Sequence, residues 1–495
     1  MKKSVIVFIS VFFIPNIIFS QDAGSKIDEL MSAYADNGQF NGVVLVKKGD
    51  KIIYRNAFGL ANREWNIPNS TDSKFLAGSI GKSITAFMTM ILVNDSLIDL
   101  NATINKYIPD YTGPGKDRVT IHQMLTHTSG IPDHGAIPNL SKKIVRWTFT
   151  SDQYLELIKG LNLKFEPGTG FSYSGIAYNL LAIICEKVTQ KDFGSLLEER
   201  LFRPLDMNSS RLHKNLDIES KLAYGYEYHL LEGYTNPSYV DMSLIKGSGG
   251  IITTVDDLAR FNNECFNSQK LLRKDQYMKI FSRYVKEWQY YGYGWWITDR
   301  LFGNDSLTLI SHGGSTDGYK AYSTRIVNDS IDIIMFQNNY YRTEIGVKFD
   351  YAITNEIIGI LHGQGYTLPG KSIAREMGAI IGKNGVAAAI ERYKILKADK
   401  RYYIDDYEFS QMGKELDRNY GMTREATSIF DLAVSEYPES FLINYSYGEF
   451  LSKRNNDKAI DYYRKSIAIY DQSPAYKEYE EEYRNAVKYL NDLRQ

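Results

Sequence analysis

Two kinds of hydrophobic pattern alternate along the chain and predict its helices and strands. Apolar residues recur at helical spacing over 26–36 and again over 80–91. Runs rich in β-branched and aromatic residues predict a hairpin with a Gly-Asp turn over 40–54 and an antiparallel meander over 290–338. A largely helical stretch over 150–200 lies between them. The pattern therefore predicts an α+β fold, in which helices flank one antiparallel sheet that takes strands from both ends of the domain.

The pattern changes after residue 365, where the chain becomes mostly helical and rich in Tyr, Lys and Glu. This change predicts a small all-α domain over 371–495. Ala426 and Phe430 have counterparts in Ala459 and Tyr463, at a spacing close to the ~34-residue period of tetratricopeptide repeats. Because only two partial copies are present, a tetratricopeptide-like domain and an ordinary helical bundle both fit. A tetratricopeptide-like domain would offer a surface for a protein partner.

The first twenty residues form a pattern of their own. Lys2 and Lys3 precede an apolar stretch over 5–19, and polar sequence resumes at Ser20. This order is typical of a secretory signal peptide, and the stretch is too short and too interrupted to span a bilayer. We therefore predict a signal peptide over 1–20, a secreted or periplasmic protein and no transmembrane anchor. The exported chain would then consist of a domain over 21–365 and the helical domain.

Charge and cysteine content exclude several classes of function. The 58 basic and 59 acidic residues nearly balance and form no long run of like charge, so nothing supports binding to nucleic acid. Cys185 and Cys265 both lie in predicted helices and are expected to be buried free thiols. His122 and His127 are five residues apart, which does not match the i, i+4 spacing of a helical zinc pair. We predict neither a metal nor a cofactor.

The best candidate for chemistry is the segment that opens the predicted helix over 80–91. Ser79 begins this helix, and Lys82 lies about one turn further along the same face. A serine hydroxyl is a poor nucleophile until a base takes its proton. Apolar neighbours lower the pKa of a lysine amine, so Lys82 can act as that base. The amides at the helix N-terminus also favour an anion that develops at the serine.

The Ser-x-x-Lys pattern alone is weakly specific, because it occurs again at Ser243 and Lys246. Its usual structural meaning is a helix cap followed by a solvated lysine. The setting favours Ser79, which opens a long apolar helix, whereas Gly-rich sequence typical of a loop follows Lys246. The Ala-x-Ser-x-Gly arrangement around Ser79 is also one residue short of a hydrolase nucleophile elbow. That alternative needs a strand before the serine, and an acid and then a histidine after it.

Acyl transfer also requires an acid that protonates the leaving group. Tyr173 lies in a loop with one proline and three glycines over 166–175, which marks an exposed, shaped turn. We expect Lys82 to lower the pKa of this phenol, so that Tyr173 can pass a proton between Ser79 and the leaving group. A single tyrosine of this kind more often serves packing, since the chain contains 38 of them.

The second requirement is a pair of amides that bind the oxyanion. The Gly-rich segment over 311–315 ends a predicted strand, where glycines such as Gly314 let a ligand approach the backbone. The amide of Ser315 would join that of Ser79 as the oxyanion donor. His312 would either bind a substrate carboxylate or steady the catalytic tyrosine, although a histidine at a strand end is more often structural.

In this order, Ser79-x-x-Lys82, the Tyr173 loop and His312-x-Gly314 resemble the motifs of the serine β-lactamase and penicillin-binding protein superfamily. The similarity covers about residues 26–360 and is greatest to the class C β-lactamase-related branch, which includes esterases and D-alanyl-D-alanine carboxypeptidases. The stretches that support it are 119–130, 201–207 and 249–258. The resemblance implies an α/β sandwich with an all-helical subdomain, and an acyl-enzyme on the serine with lysine and tyrosine as base and acid. The C-terminal helices lie outside it and resemble the tetratricopeptide-like tails of some such hydrolases.

Two positions depart from the pattern of this family. The family usually has Tyr-x-Asn, but Gly175 stands at the third position here and removes an amide that would hold substrate and Lys82. His312 stands where the lactamases have lysine, which is typical of the esterase and peptidase relatives. Both departures weaken an assignment as a β-lactamase more than an assignment as a hydrolase.

The sequence therefore predicts an exported serine hydrolase that cleaves an ester or amide bond through an acyl-enzyme on Ser79. The bond would belong to a small-molecule or peptide substrate, as a peptide, D-amino-acid or lactam bond. The alternative is a catalytically silent binding protein that uses its fold and C-terminal helices to recognise a partner. Retention of Ser79, Lys82 and Tyr173 together favours the enzyme, whereas Gly175 favours the alternative.

Overall fold

A computed structural model describes residues 15–140, 144–285, 290–303, 305–343, 345 and 349–492. The predicted signal peptide over 1–20 falls for the most part outside these residues. The chain divides into two compact units. The first comprises the described parts of Met1–Tyr224, Tyr239–Asn338 and Asp350–Leu368, and the second those of Gly225–Ser238, Asn339–Phe349 and Pro369–Gln495.

An antiparallel sheet of seven strands, counted over the described residues, forms the centre of the first unit. In spatial order its strands are Tyr290–Tyr291, Trp296–Phe302, Asp305–Thr316, Tyr319–Ile326, Ile331–Gln337, Gly42–Lys48 and Lys51–Phe58. Strand Gly42–Lys48 pairs with Ile331–Gln337 on one side and with Lys51–Phe58 on the other. The N-terminal hairpin thus joins the later meander in one sheet, which confirms the predicted fold class.

Ten α-helices among the described residues accompany this sheet. They are Pro15–Asp36, Ile80–Asn94, Ile104–Tyr107, Ile121–Leu125, Ser151–Ile158, Gly175–Thr189, Phe193–Leu197, Val255–Asn263, Lys274–Ile280 and Phe349–Leu361. None of the helices in the described part of the chain has the length and apolarity needed to cross a bilayer.

Helix Ile80–Asn94 is deeply buried. Its residues are buried continuously from Ile80 to Leu92, in agreement with the predominantly apolar sequence of this helix. Two hydroxyls in it are nevertheless satisfied, since Ser83 Oγ donates to the Gly294 carbonyl at 2.6 Å and Thr85 Oγ1 to the Gly247 carbonyl at 2.7 Å. These bonds fix the first turns of the helix against two surrounding segments.

Short strands complete the first unit and position the start of that helix. Phe75–Leu76 pairs with Ile251–Thr253, which also pairs with Arg211–Leu212, and Leu60–Asn62 pairs with Ile67–Pro68. Cys185 and Cys265 are buried and free, as predicted.

The second unit is mostly helical. Its helices are Ile373–Asn384, Val386–Leu396, Asp406–Arg418, Thr423–Glu436, Phe441–Leu451, Asn456–Gln472 and Glu480–Asp492, and its strands are Tyr226–His229, Gly233–Thr235, Asn339–Tyr341, Lys371–Ser372 and Tyr402–Tyr403. Two successive helix pairs share one packing device: a Cβ at Gly413 would lie 2.5 Å from the Phe430 ring, and a Cβ at Gly448 would lie 3.1 Å from the Tyr463 ring. This repetition agrees with the repeat spacing in the sequence, and the tetratricopeptide-like interpretation stays a prediction.

Candidate active site

Ser79 lies between a strand and a helix. Strand Phe75–Leu76 leads into it, and helix Ile80–Asn94 begins immediately after it. The serine occupies the N-cap position, but its hydroxyl makes no capping hydrogen bond and the residue is partly exposed. The hydroxyl is therefore available for chemistry rather than used to cap the N-terminus of the helix.

Lys82 is the base candidate that the structure places beside this hydroxyl. Its Nζ lies 3.0 Å from Ser79 Oγ and 3.0 Å from the carbonyl oxygen of Ser248, and only 3 % of the residue is exposed. Burial lowers the pKa of the Lys82 amine from 10.5 to about 7, an effect that the carboxylate of Asp133 partly offsets. A substantial fraction of the amine is thus neutral near pH 7. The residue beside the serine hydroxyl is thus a lysine, whereas a nucleophile elbow would place a histidine there.

Tyr173 joins this pair from the loop before helix Gly175–Thr189. Lys82 Nζ lies 4.7 Å from the centre of the Tyr173 ring, and the Tyr173 hydroxyl lies near enough to the Ser79 side chain for the two to interact. Burial raises the pKa of the phenol and outweighs the opposing effect of the Ser79 side chain, and the charge of Asp133 raises the pKa further. The expectation that Lys82 lowers this pKa is wrong, because the site is buried and holds an anion. Tyr173 is therefore a neutral phenol that has a proton to donate.

The Gly-rich segment over 311–315 forms the last part of strand Asp305–Thr316, so the predicted strand ends here but includes the glycines. The strand pairs with Trp296–Phe302 only as far as Ser311, but it pairs with Tyr319–Ile326 through Thr316. Among the described residues, this strand therefore has no strand partner on the Trp296–Phe302 side from His312 onward, and the backbone of residues 77–79 lies close to Gly314 and Ser315.

The approach is close enough to bring two amides together. A Cβ at Gly314 would lie 2.0 Å from the Ala77 carbonyl oxygen and 3.2 Å from the Ser79 amide nitrogen. Gly78 has a φ of +52°, and a Cβ there would lie 2.7 Å from the Ser315 amide nitrogen. Only glycine fits at either position. Within the described part of the chain the Ser79 amide donates to no acceptor, so it and the neighbouring Ser315 amide form a candidate oxyanion hole.

His312 lies at the site, but its two ring nitrogens already have hydrogen-bond partners and do not offer a binding group for a carboxylate. Its Nδ1 lies 2.6 Å from the Gly313 carbonyl oxygen and its Nε2 3.2 Å from the Tyr291 hydroxyl. Burial, assisted by the nearby Lys82, lowers the pKa of His312 to about 3. The imidazole is therefore neutral, donates from Nδ1 and accepts at Nε2. Its ring centre lies 6.3 Å from that of Tyr173, so it supports the tyrosine by contact alone.

His127 is one residue of the site that the sequence did not assign. Its ring centre lies 4.3 Å from that of Tyr173, and its Nδ1 accepts a hydrogen bond from the Ser174 amide at 3.1 Å. The residue has a φ of +59°, which non-glycine residues rarely adopt. It lies in the stretch 119–130 that supports the family resemblance, but no spacing links it to Tyr173 in the sequence.

Asp133 is the second unassigned residue. Its Oδ1 accepts the amide N–H of Gly175 at 2.7 Å and lies 3.2 Å from His134 Nδ1. Burial alone would raise the pKa of this carboxyl, but the hydrogen bonds from His134 and Gly175 hold it below its usual range. The anion acts electrostatically on both Lys82 and Tyr173. Nothing in the local sequence marks an aspartate after a turn as part of a site.

The second Ser-x-x-Lys segment is arranged differently. Ser243 Oγ accepts a hydrogen bond from the Phe149 amide at 2.8 Å. Lys246 Nζ lies 2.8 Å from Glu186 Oε1 and donates to Ser151 Oγ at 2.6 Å. The serine and the lysine thus serve different structural partners, and they do not form a nucleophile and base.

The described residues around Ser79 therefore bring together candidates for a nucleophile, a base, an acid and two oxyanion donors. No group of three or more His, Cys, Asp or Glu side chains within the ranges that the structure describes is arranged to hold a metal ion. Such a site can carry out acyl transfer with protein groups alone.

Comparison with known proteins agrees with this arrangement. The Beta-lactamase family pattern matches residues 27–353. Penicillin-binding protein 4* of Bacillus subtilis (strain 168) is 27% identical over 376 residues, which cover 73% of this chain and 81% of the relative. The solved structure of an octameric penicillin-binding protein homologue from Pyrococcus abyssi matches with a TM-score of 0.59 and 24% identity, over 76% of this chain and 81% of that one.

D-amino acid amidase from Ochrobactrum anthropi SV3, solved with L-phenylalanine amide, has a similar fold. It matches with a TM-score of 0.59 and 20% identity over 68% of this chain and 99% of its own. Likeness at these identities shows the fold, and the family match shows descent. Since that match spans more than half of the chain, the protein belongs to the β-lactamase family, as its motifs predicted.

Proposed function

We propose that this protein is a serine hydrolase that cleaves an ester or amide bond through an acyl-enzyme on Ser79. The observation that carries the proposal is the 3.0 Å distance between Lys82 Nζ and Ser79 Oγ, in a place where burial brings the pKa of the amine to about 7. A general base is most effective when its pKa lies near the working pH. Lys82 meets this condition.

In the proposed acylation step, Lys82 takes the proton of Ser79 while Oγ forms a bond to the substrate carbonyl. The carbonyl oxygen becomes an oxyanion, which the amides of Ser79 and Ser315 stabilise. The leaving group departs with a proton from the Tyr173 hydroxyl, and Tyr173 recovers a proton from the Lys82 ammonium. No net charge accumulates on the buried phenol, which agrees with its raised pKa. Deacylation follows the same route with water as the nucleophile.

The proposed substrate range follows the activities after which similar proteins are named. These include a penicillin-binding protein, a putative D-alanyl-D-alanine carboxypeptidase of Escherichia coli (strain K12) and a D-amino acid amidase. Small esters, amides of D-amino acids and D-alanyl peptides are therefore the classes to test first. His312 and Gly175 make efficient turnover of β-lactams the least favoured of the family activities.

The experiment compares the purified wild type with Ser79→Ala and, as a matched control, Ser243→Ala. Initial rates are measured on short-chain 4-nitrophenyl esters, D-alanine amide, a D-alanyl-D-alanine peptide and a chromogenic cephalosporin. The proposal expects turnover of at least one ester or amide by the wild type and by Ser243→Ala, and none by Ser79→Ala. Equal rates in Ser79→Ala contradict it. No turnover of any substrate favours the catalytically silent binding protein, which Gly175 also favours.

Export is part of the proposal and is supported by residues 1–20, with their two lysines and apolar stretch. Expression of the full chain in a bacterium, followed by N-terminal sequencing of the exported protein, tests it. Processing near residue 20 supports export, and an intact N-terminus in the cytoplasmic fraction contradicts it. A partner for residues 371–495 remains an expectation from their repeat spacing.

A further inference from the structure

The loop that carries Tyr173 is held along its length by one other segment, residues 127–133. Backbone amides from 164 to 175 donate to carbonyl and side-chain acceptors of this segment, so it determines the course of the loop. The bonds away from the tyrosine itself are Lys164 amide to Gly130 carbonyl, Gly168 amide to Thr128 carbonyl, Ser174 Oγ to Pro132 carbonyl and Gly175 amide to Asp133 Oδ1.

His127 holds the backbone on both sides of the tyrosine. Its carbonyl oxygen accepts the Ser172 amide at 2.9 Å, and its Nδ1 accepts the Ser174 amide at 3.1 Å. Ser172 and Ser174 are the two neighbours of Tyr173 in the chain. The His127 ring also lies against the Tyr173 ring, with 4.3 Å between the ring centres. One residue therefore fixes the backbone before the tyrosine, the backbone after it and one face of its ring.

Two features of His127 reduce the stability of the fold. Its φ of +59° lies in the left-handed region, which is strained for a residue with a side chain. The residue is completely buried, and its Nε2 has no hydrogen-bond partner among the described residues. A buried polar nitrogen without a partner is unfavourable. A phenylalanine ring would pack here without that nitrogen, so packing alone does not account for a histidine. The feature that phenylalanine lacks is the acceptor at Nδ1.

The charge state of the ring keeps this acceptor available. Burial lowers the pKa of His127 well below its usual range, Lys82 and His312 lower it further, and Asp133 offsets only part of the effect. The imidazole is therefore neutral. Because Nδ1 accepts the Ser174 amide, the single ring proton is on Nε2. Nδ1 thus remains an acceptor over the pH range in which Lys82 titrates.

We propose that His127 is a positioning residue for protonation of the leaving group, because it holds the Tyr173 hydroxyl beside Ser79 through the two amides that flank the tyrosine. The inference rests on the proposed function, in which Tyr173 gives its proton to the departing group. His127 exchanges no proton itself and acts through Tyr173. Its loss therefore slows each reaction according to how much the leaving group needs a proton.

A series of leaving groups separates this role from a purely structural one. The substrates are the 4-nitrophenyl, phenyl and ethyl esters of the acyl group that the wild type turns over best. 4-Nitrophenolate can depart as an anion, whereas ethoxide needs a proton as it departs. His127→Phe keeps a ring but loses the Nδ1 acceptor. It should lower kcat/KM by about 10²-fold or more for the ethyl ester and by less than about tenfold for the 4-nitrophenyl ester, with the phenyl ester between them.

His127→Asn keeps the acceptor and loses the ring. The carboxamide oxygen of asparagine can accept the Ser174 amide, and asparagine tolerates a left-handed backbone. Its kcat/KM for the ethyl ester should recover to within about tenfold of the wild type. His122→Phe is the matched control, because His122 is a histidine of the same stretch whose Nδ1 lies 2.8 Å from the Tyr293 hydroxyl. Its dependence on the leaving group should equal that of the wild type.

A double substitution tests whether His127 acts through Tyr173. Tyr173→Phe removes the proton donor and should show the same dependence on the leaving group as His127→Phe. When His127→Phe is added to Tyr173→Phe, kcat/KM for the ethyl ester should fall by less than about threefold further, since two residues that act as one unit are not additive. If His127→Phe does not fold, the comparison of His127→Asn with Tyr173→Phe on the ethyl ester decides.

The inference is overturned if His127→Phe slows all three esters equally or if its effect adds in full to that of Tyr173→Phe. It is also overturned if His127→Asn loses as much activity on the ethyl ester as Tyr173→Phe does. Each of these outcomes leaves Ser79-dependent turnover in the wild type and therefore leaves the proposed function standing. Absence of Ser79-dependent turnover overturns both, so the two failures are distinguishable.

Discussion

The same four-residue pattern, Ser-x-x-Lys, occurs twice in this molecule with different outcomes. At Ser79 and Lys82 it spans the start of a buried helix, and the lysine amine lies beside the serine hydroxyl. At Ser243 and Lys246 it spans the 3-10 helix Met242–Ile245, and each side chain has its own structural partner.

The difference lies in what surrounds the two amines. Lys246 has the Glu186 carboxylate at 2.8 Å, so its charge is compensated. Lys82 has a hydroxyl and a carbonyl as its hydrogen-bond partners and is almost completely buried, so its neutral form is favoured. Spacing therefore brings the two residue types together, whereas burial without a hydrogen-bonded carboxylate among the described residues favours the neutral amine that a base requires.

Removal of the two hydroxyls should give the largest contrast. We expect Ser79→Ala to lower kcat/KM by roughly 10⁴-fold or more, since a nucleophile cannot be replaced by its neighbours. Ser243→Ala should stay within about threefold of the wild type, because surface and structural hydroxyls contribute little to catalysis. Steady-state rates on the best ester from the substrate screen check both values. Similar losses in the two variants would remove the distinction between the segments.

Removal of the two amines should give the next largest contrast. Lys82→Met should lower kcat/KM by about 10²- to 10⁴-fold, the range for loss of a general base. Lys246→Met should leave kcat/KM within about threefold but destabilise the fold by about 1–3 kcal/mol, because Glu186 loses its ion-pair partner. Rates and urea unfolding are measured on both variants. A stable but inactive Lys246→Met would contradict the assignment.

Substitution of two adjacent glycines tests whether the amides of Ser79 and Ser315 act together as the oxyanion donors. A Cβ at Gly314 would lie 2.0 Å from the Ala77 carbonyl oxygen, whereas a Cβ at Gly313 would meet nothing closer than 3.5 Å. Gly314→Ala should therefore separate the Ser79 and Ser315 amides and lower kcat by about 10²- to 10³-fold. Gly313→Ala should retain kcat within about threefold. Equal effects of the two substitutions would exclude the proposed pair of donors.

The pH dependence should show the smallest effect. Because Lys82 must be neutral to act as a base and its pKa is about 7, kcat/KM should rise with pH through about 7 and level off above it. Between pH 8 and pH 6 the rate should fall about tenfold. Since the Asp133 charge raises the pKa of Lys82, Asp133→Asn should move the acid limb to lower pH. An unchanged limb in that variant would show that another group controls the profile.

The sequence identified the parts of the site that are local or carried by motifs. Ser79 and Lys82 are one helical turn apart, so an apolar helix that follows them suffices to predict their contact. The meander and the hairpin were predictable because alternation marks strands. Continuation of the strand through the glycines of 311–315 was not predictable, since glycines normally weaken strands and here accommodate the close approach of the Ser79 backbone.

The remaining parts of the site depend on tertiary structure. His127 and Asp133 reach Tyr173 through folding of distant segments, and no periodicity records that meeting. The predicted direction of the Tyr173 pKa shift was wrong for the same reason. It depends on burial and on Asp133, neither of which can be inferred from a motif.

Covalent labelling tests the central claim most directly. The full-length protein is treated with a fluorophosphonate, and the modified peptide is identified by mass spectrometry in the wild type, Ser79→Ala and Ser243→Ala. We predict one adduct on Ser79 in the wild type and in Ser243→Ala, and none in Ser79→Ala. An adduct of equal yield in Ser79→Ala, or one on Ser243, would contradict the account.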